Sequence, residues 1–503
     1  MLKKSYNALF VLVLLLLVGA GCKKGTFDIN NVNPNLPLSV SPQYSLSAAL
    51  ANVANQTYNS GYPDFANRYM GYFAFSGDYG GYGTEATYNT NTSYAVLNWE
   101  QTYLTLENFK FIADNSHTAT GAYYLAMAKI MQSFQFQRLV DLYNNVPYTD
   151  ALNGANTNYY PKYDDGKSVY TAIIKQLDSA ITLIKGANAT LTDNPGKYDV
   201  MFGGKMSSWQ AFANSLKLKI LLNLTKTADG PALIQSELNG LTTSDFMGAG
   251  LDATVNPGYS NAAANQQTPV WQNLGFATNG TTPTTGNNLN RACAYAVNFY
   301  TNTNDPRVSR FYDLNTAGVV RGRPMGSQDG SEHNTVISPV GKGILSSPTA
   351  GAPLMPAFES LFLQAEAAQR GYIGGLGPDS LFKLGISESF RILGVPNAAT
   401  AAATYYKQND ARVNFAAAPD KINVILLQEW AALNMYDPIE AWNNWRRMGI
   451  PADLPVSIYP GTTATHIPYR LLYPLSEYSN NATNANAQGP INNMTSKVFW
   501  MQP

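Results

Sequence analysis

The chain of 503 residues sets 33 Lys+Arg against 33 Asp+Glu, a formal net charge of zero, and charged residues make up only 13% of it, about half the usual share. A neutral chain with no basic surplus excludes nucleic-acid binding as its main task, because phosphate contacts need clustered Lys and Arg. Its 45% hydrophobic content excludes a disordered chain, and its 32 Tyr with abundant Asn suit a wet surface that meets neutral polar ligands.

In chain order, the first element is for targeting. Lys3 and Lys4 form a basic start, and the apolar run Leu9 to Val18 is too short to span a bilayer but suits a signal-peptide core. Val18-Gly19-Ala20-Gly21-Cys22 resembles the bacterial lipobox, with Gly19 where that box usually has Leu. The organisation is therefore a signal peptide over 1–21, lipid on Cys22, a proline-punctuated tether over 22–40 and a folded domain over 41–503. With Cys22 lipidated, no intrachain disulfide is possible, and Cys293 reads as a small buried residue, not a nucleophile. No later apolar run is long enough to span a membrane.

Helical periodicity dominates the domain. It predicts helices at Ala95 to Asn115, Ala122 to Tyr143, Ser168 to Lys185 and Ser208 to Leu224, each with apolar residues three and four apart. Between about 245 and 350, Gly, Asn, Thr and Pro cluster and long periodic runs are few. One short helix, Asn288 to Tyr300, is predicted there, and so long an irregular stretch is usually functional or floppy. Helices return at Pro356 to Arg370, Pro378 to Leu393 and Asp420 to Trp445, and an Asn- and Pro-rich piece follows from Ala464 to Pro503. No repeat has a fixed period, so a tetratricopeptide-like array would be a degenerate one. The reading is mainly α, with helical hairpins as a scaffold and a loop-rich insertion.

Catalytic signatures are weak. Gly81-Tyr82-Gly83-Thr84-Glu85-Ala86 fits the dinucleotide fingerprint by letters but follows no hydrophobic strand. Asp165-Gly166-Lys167-Ser168 looks like the end of a phosphate loop, yet Pro161 stands where its first glycine belongs. His117, His333 and His466 are far apart and lack zinc-site spacing. Paired carboxylates would suffice for glycoside hydrolysis. Asp164 and Asp165, however, precede a helix where they suit the cap, and Glu366 can pair with Arg370 one turn on, while Glu359 lies on the same face.

Several segments carry a more specific resemblance. They are Gln137-Arg138-Leu139-Val140-Asp141-Leu142-Tyr143-Asn144-Asn145-Val146-Pro147-Tyr148, Trp209-Gln210-Ala211-Phe212-Ala213-Asn214-Ser215-Leu216, Asp305-Pro306-Arg307, Phe362-Leu363-Gln364-Ala365-Glu366-Ala367, Glu440-Ala441-Trp442 through Arg446-Arg447-Met448-Gly449, and Ile467-Pro468-Tyr469-Arg470 through Tyr473-Pro474. In this order they resemble the SusD/RagB family of nutrient-binding outer-membrane lipoproteins, although Asn144 and Asn145 replace a usual Gly-Asp. The resemblance implies a mainly α, SusD-like fold with degenerate tetratricopeptide helices. It further implies a lipid anchor in the outer membrane facing the cell exterior, a TonB-dependent SusC-type barrel as partner, and a glycan or peptide as ligand. It implies no catalysis and no cofactor, and it leaves a structural calcium ion open. Asp305-Pro306-Arg307 reads as a turn with an ion pair. Ligand contacts in such proteins come from variable loops, so no binding residue carries over by motif.

Physical chemistry chooses the ligand surface instead. Sugars bind on flat aromatic faces with amides and carboxylates at their hydroxyls. Tyr79, Tyr82 and Tyr88 lie on a glycine-rich loop with polar neighbours, and Trp271 opens the irregular region, so these four are the candidate ligand-binding residues. The rival classes are a surface glycoside hydrolase, which would show two facing carboxylates in a cleft, and a purely structural lipoprotein, which would show no pocket.

Overall fold

The computed structural model describes residues 41–58, 64–154 and 158–501. Its frame is a succession of helices: α1 (Pro42–Tyr58), α2 (Leu97–Asp114), α3 (Ala122–Tyr143), α4 (Gly166–Gly186) and α5 (Met206–Asn223), then α6 (Ala357–Gln369), α7 (Pro378–Ile392), α8 (Ala398–Tyr405), α9 (Lys421–Leu433) and α10 (Pro438–Met448). Each of α1 to α7 packs on the next in the series, α8 packs on α7, and α9 packs on α6. Helical hairpins therefore do form the scaffold.

Local chemistry explains the boundaries. Asp165 caps α4 by accepting the backbone N–H groups of Lys167 and Ser168, satisfying donors that the first turn cannot. The α3 helix is buried almost all round, which is why its apolar residues occupy more than one face. The single helix expected over Asp420 to Trp445 is two. Met435 has φ +64°, and Pro438 begins α10, where a missing N–H costs nothing. Asp437 caps that second helix, accepting from the Glu440 N–H, and Gly449 ends it in the left-handed region.

The short helix expected over Asn288 to Tyr300 is likewise interrupted. A strand, Asn290–Ala292, separates two shorter helices there, because its backbone pairs antiparallel with Phe73–Phe75. These are β1 (Phe73–Phe75) and β3 (Asn290–Ala292); β2 (Ala253–Val255) pairs antiparallel with β4 (Ala352–Met355). The loop-rich stretch is thus tied to the scaffold at both strand pairs, and the first pair positions the candidate site.

The resembling segments meet in the core. Trp209, Trp442 and Trp500 are fully buried, and their indole N–H groups donate to Asp199, the Pro468 carbonyl and Asp141. Arg307 pairs with Asp305 at 2.6 Å, neither side chain meeting solvent, as the turn predicts. Among the described residues no helix is long and apolar enough to cross a membrane.

Candidate ligand-binding surface

Beyond β1 the chain runs out into the loop 76–88, and two close backbone approaches fasten it to distant segments. A Cβ at Gly77 would lie 2.3 Å from the Glu332 carbonyl oxygen, so only glycine fits; its N–H donates to that oxygen at 3.2 Å. Gly326, at φ +80°, would place a Cβ 2.6 Å from the Tyr459 nitrogen, and beside it the Met325 carbonyl accepts the Ile458 N–H at 2.9 Å. Segments around 77, 326 and 458 are thereby joined.

Polar groups lock the junction. Asp78 accepts the Asn334 N–H at 2.7 Å and sits 2.5 Å from His333 Nδ1; these two contacts, the backbone one foremost, hold its carboxyl below the ordinary value. Beneath lies Arg323, buried, donating to Glu332 at 2.8 Å, the Phe75 carbonyl at 2.7 Å and the Ser327 carbonyl at 2.6 Å. A fully satisfied network of this kind fixes one arrangement of the loops.

On this base sits an aromatic patch. The Tyr82 ring stacks on Phe75 with centroids 4.2 Å apart and planes at 14°, and Tyr459 meets it edge-on at 6.1 Å. The Gln328 amide donates to the Tyr82 hydroxyl at 3.4 Å, and Tyr79 is 37% exposed on the same loop. Flat rings with phenol and amide groups at their edges can stack on sugar C–H patches while meeting the hydroxyls. The structure brings the sequence candidates Tyr79 and Tyr82 onto one loop and sets beside Tyr82 two residues the sequence did not single out, Tyr459 and Gln328, which lie in aperiodic stretches.

Tyr88 requires a correction. It is 2% exposed, its ring edges against Tyr69 at 5.7 Å, and its hydroxyl accepts the Ser457 N–H at 2.9 Å. Burial pushes its phenol up to about 12. It supports the patch from inside and offers no face to a ligand. Trp271 is half-buried, its indole donating to the Phe276 carbonyl at 2.8 Å, and it lines a cavity of about 600 Å³. Further hollows lie among the described residues. One of about 450 Å³ is walled by Trp99, Tyr103 and Leu104, and one of about 690 Å³ is lined by Asn52, Asn55, Tyr259 and Gln272. Cys22 lies outside the described residues.

The acidic pairs have structural partners. Asp164 accepts the Tyr148 and Thr149 N–H groups, Asp165 is the cap, Glu359 meets Lys219 at 2.8 Å, and Glu366 meets both Arg370 and Arg447. His466 stacks on Tyr469 at 4.2 Å. Cys293 is buried, which raises its thiol to about 11, so it is no nucleophile. Among the described residues no group of three or more His, Cys, Asp or Glu is placed to hold a metal ion.

Comparison with known proteins gives the family. Residues 34–474 match the SusD-like family model described as "Starch-binding associating with outer membrane". No curated protein matches. Among solved structures the chain is similar to a chitin-binding protein, with TM-score 0.75 and 21% identity over 92% of this chain and 100% of that one. It is also similar to a Bacteroides vulgatus outer membrane protein described as involved in nutrient binding, with TM-score 0.74 and 19% identity over 92% and 100%, and to a SusD homologue from Bacteroides uniformis, with TM-score 0.71 and 21% identity over 92% and 100%. At such identities these structures speak to the fold, whereas the family model covers most of the chain: the protein belongs to the SusD-like family.

Proposed function

We propose that this protein captures a glycan at the bacterial cell surface on the patch formed by Tyr79, Tyr82, Gln328 and Tyr459, and passes it chemically unchanged to a TonB-dependent SusC-type barrel. Lipid on Cys22 holds it at the outer membrane, facing the exterior. The observation that carries this reading is the patch itself: three segments distant in sequence are joined by glycine contacts, and what they present outward is rings and an amide. The starch-binding description of the family and the chitin-binding neighbour favour a glycan over a peptide. Binding without chemistry is supported by two carboxylates beside the patch, since Asp78 is engaged by Asn334 and His333, and Glu332 by Arg323 and Ser327. Neither of these two is left free to serve as acid or base.

The test is a binding screen of the soluble form, residues 23–503, against a panel of neutral and acidic glycans and mixed peptides. Retention of glycans, with chain lengths unchanged after prolonged incubation, is expected. Retention of peptides alone would reassign the ligand. Cleavage products that disappear when one carboxylate is mutated would establish the hydrolase instead.

A further inference from the structure

The cavity beside Trp271 has a chemistry that the aromatic patch lacks. Its volume, about 600 Å³, lies within the range of small-ligand sites. Trp271, Phe276 and Pro283 supply apolar wall, and Arg291, Lys342 and Asp313 supply charge. Arg291 is 4% exposed. Its Nη1 donates to the carbonyls of Asn287 and Asn290, the latter at 3.0 Å, and its Nε is sealed from solvent with no acceptor.

Other buried arginines of this protein have a carboxylate or a ring beside them, although burial pulls Arg446 down to about 10 as well. Arg307, Arg323 and Arg447 each pair with a carboxylate, while Arg446 and Arg470 lie over aromatic rings. Arg291 has neither kind of partner among the described residues. Burial pulls its guanidinium down to about 10, and the more distant Asp78 and Tyr79 oppose that fall without cancelling it. Among the described residues Lys342, exposed at the rim, has no ion pair, and neither cation pairs with Asp313, so the charged lining carries one net positive charge. A buried charge is costly unless something pairs with it, and Arg291 Nη2, which makes no hydrogen bond among the described residues, is left to donate to an anion.

The cavity also adjoins the patch. Arg291 stands opposite Ala74 in the pairing of β3 with β1, close enough for its charge to act on Asp78 and Tyr79. We infer that this cavity is an acidic-sugar subsite: Arg291 binds the carboxylate, Lys342 reinforces it at the rim, and Trp271 and Phe276 support the ring. The inference rests on the glycan-capture reading and narrows its substrate class to glycans that include a carboxylated sugar.

The experiment measures affinity by calorimetry on the soluble form with two matched pairs: trigalacturonate against its methyl ester, and sialyllactose against lactose. The acidic member of at least one pair should bind ten times more tightly or better, with an advantage that shrinks as salt rises. Arg291→Gln should abolish the discrimination; because that residue is buried, its melting temperature is measured alongside. The exposed Lys342→Ala is the fold-safe variant and should cut the discrimination severalfold. Equal affinity within both pairs overturns the subsite while leaving neutral-glycan capture standing. So does discrimination that survives both substitutions in folded protein. Failure to bind either acid overturns it too, and binding of neutral glycans in the same panel then shows whether the broader reading survives.

Discussion

Arg447 grips Glu366 through two parallel hydrogen bonds, Nη1 to Oε1 at 2.6 Å and Nη2 to Oε2 at 2.8 Å, and neither side chain meets solvent. The two residues belong to different helices, α10 and α6, and to two of the segments that mark the family in sequence. Arg370, one turn beyond Glu366, adds a second cation at 2.8 Å. This arrangement joins the C-terminal helices to the middle of the scaffold, and it gives the acid and base of both segments a structural role.

Glu366→Gln should therefore be costly. It leaves Arg447 buried without its counter-charge, which typically destabilises by about 3–5 kcal/mol. Denaturant titration of both proteins should show that loss at neutral pH. A change under about 1 kcal/mol would mean that the pair is dispensable to the scaffold.

The same pair sets a pH dependence. Burial alone would raise the Glu366 carboxyl, but Arg447 and Arg370 outweigh it and hold it below its ordinary value. As pH falls, the unfolded chain takes up that proton first, so the stabilisation is present above about pH 4.3, the unperturbed glutamate value, and is lost as pH drops through the folded-state value. The stability gap between the native protein and Glu366→Gln should accordingly narrow below about pH 4. A gap that stays constant from pH 7 to pH 3 would show that Glu366 is not held ionised.

The scaffold was legible in the sequence because amphipathic helices advertise themselves locally. Ala122–Tyr143 is the same in prediction and structure, and Cys293 is buried as its neighbours suggested. The break before Pro438 was overlooked because apolar periodicity continues across it, although the proline itself marks the start of α10. The site was half legible. Tyr79 and Tyr82 stand out as candidates by their glycine neighbours, whereas Tyr88 of the same loop, with its backbone at φ +59°, has its ring buried. Tyr459 and Gln328 reach the patch through tertiary contacts that no local pattern encodes.

That difference within one loop is testable. Tyr88→Phe removes the acceptor for the buried Ser457 N–H and should destabilise by about 1–3 kcal/mol, whereas Tyr88→Ala, which also empties the core, should cost about 3–5 kcal/mol. Glycan affinity of the folded Tyr88→Phe protein should stay that of the native one. Lost affinity with unchanged stability would return Tyr88 to the ligand surface.

Anchoring depends on a residue outside the described structure. Cys22→Ala should release the mature protein from the membrane fraction, because the acyl chains of a lipidated N-terminus hold stably where a single chain is marginal. Fractionation at high salt, which loosens charge-mediated attachment to a partner, makes the readout clean. Sedimentation of the variant with membranes under those conditions would show that something other than lipid retains it.

The patch itself is tested by separating rings from junction. Replacing Tyr79 and Tyr459 by Ala removes two outward rings, each worth roughly 1 kcal/mol in stacking beyond its area, so affinity should fall at least about tenfold, since 1.4 kcal/mol is a factor of ten. Little stability should be lost, because both rings are on surface loops. Gly77→Ala approaches the same site from below. Its new Cβ would fall 2.3 Å from the Glu332 carbonyl oxygen, a backbone atom that yields only if the loop 76–88 moves away from Glu332 and Asn334. All the aromatic rings remain in that variant, yet Tyr79 and Tyr82 shift relative to Gln328, and affinity should fall with them. If Gly77→Ala binds like the native protein while the ring variant does not, stacking alone carries recognition and the junction is scaffolding. If neither variant changes affinity, the ligand lies elsewhere, and the Trp271 cavity becomes the first place to look.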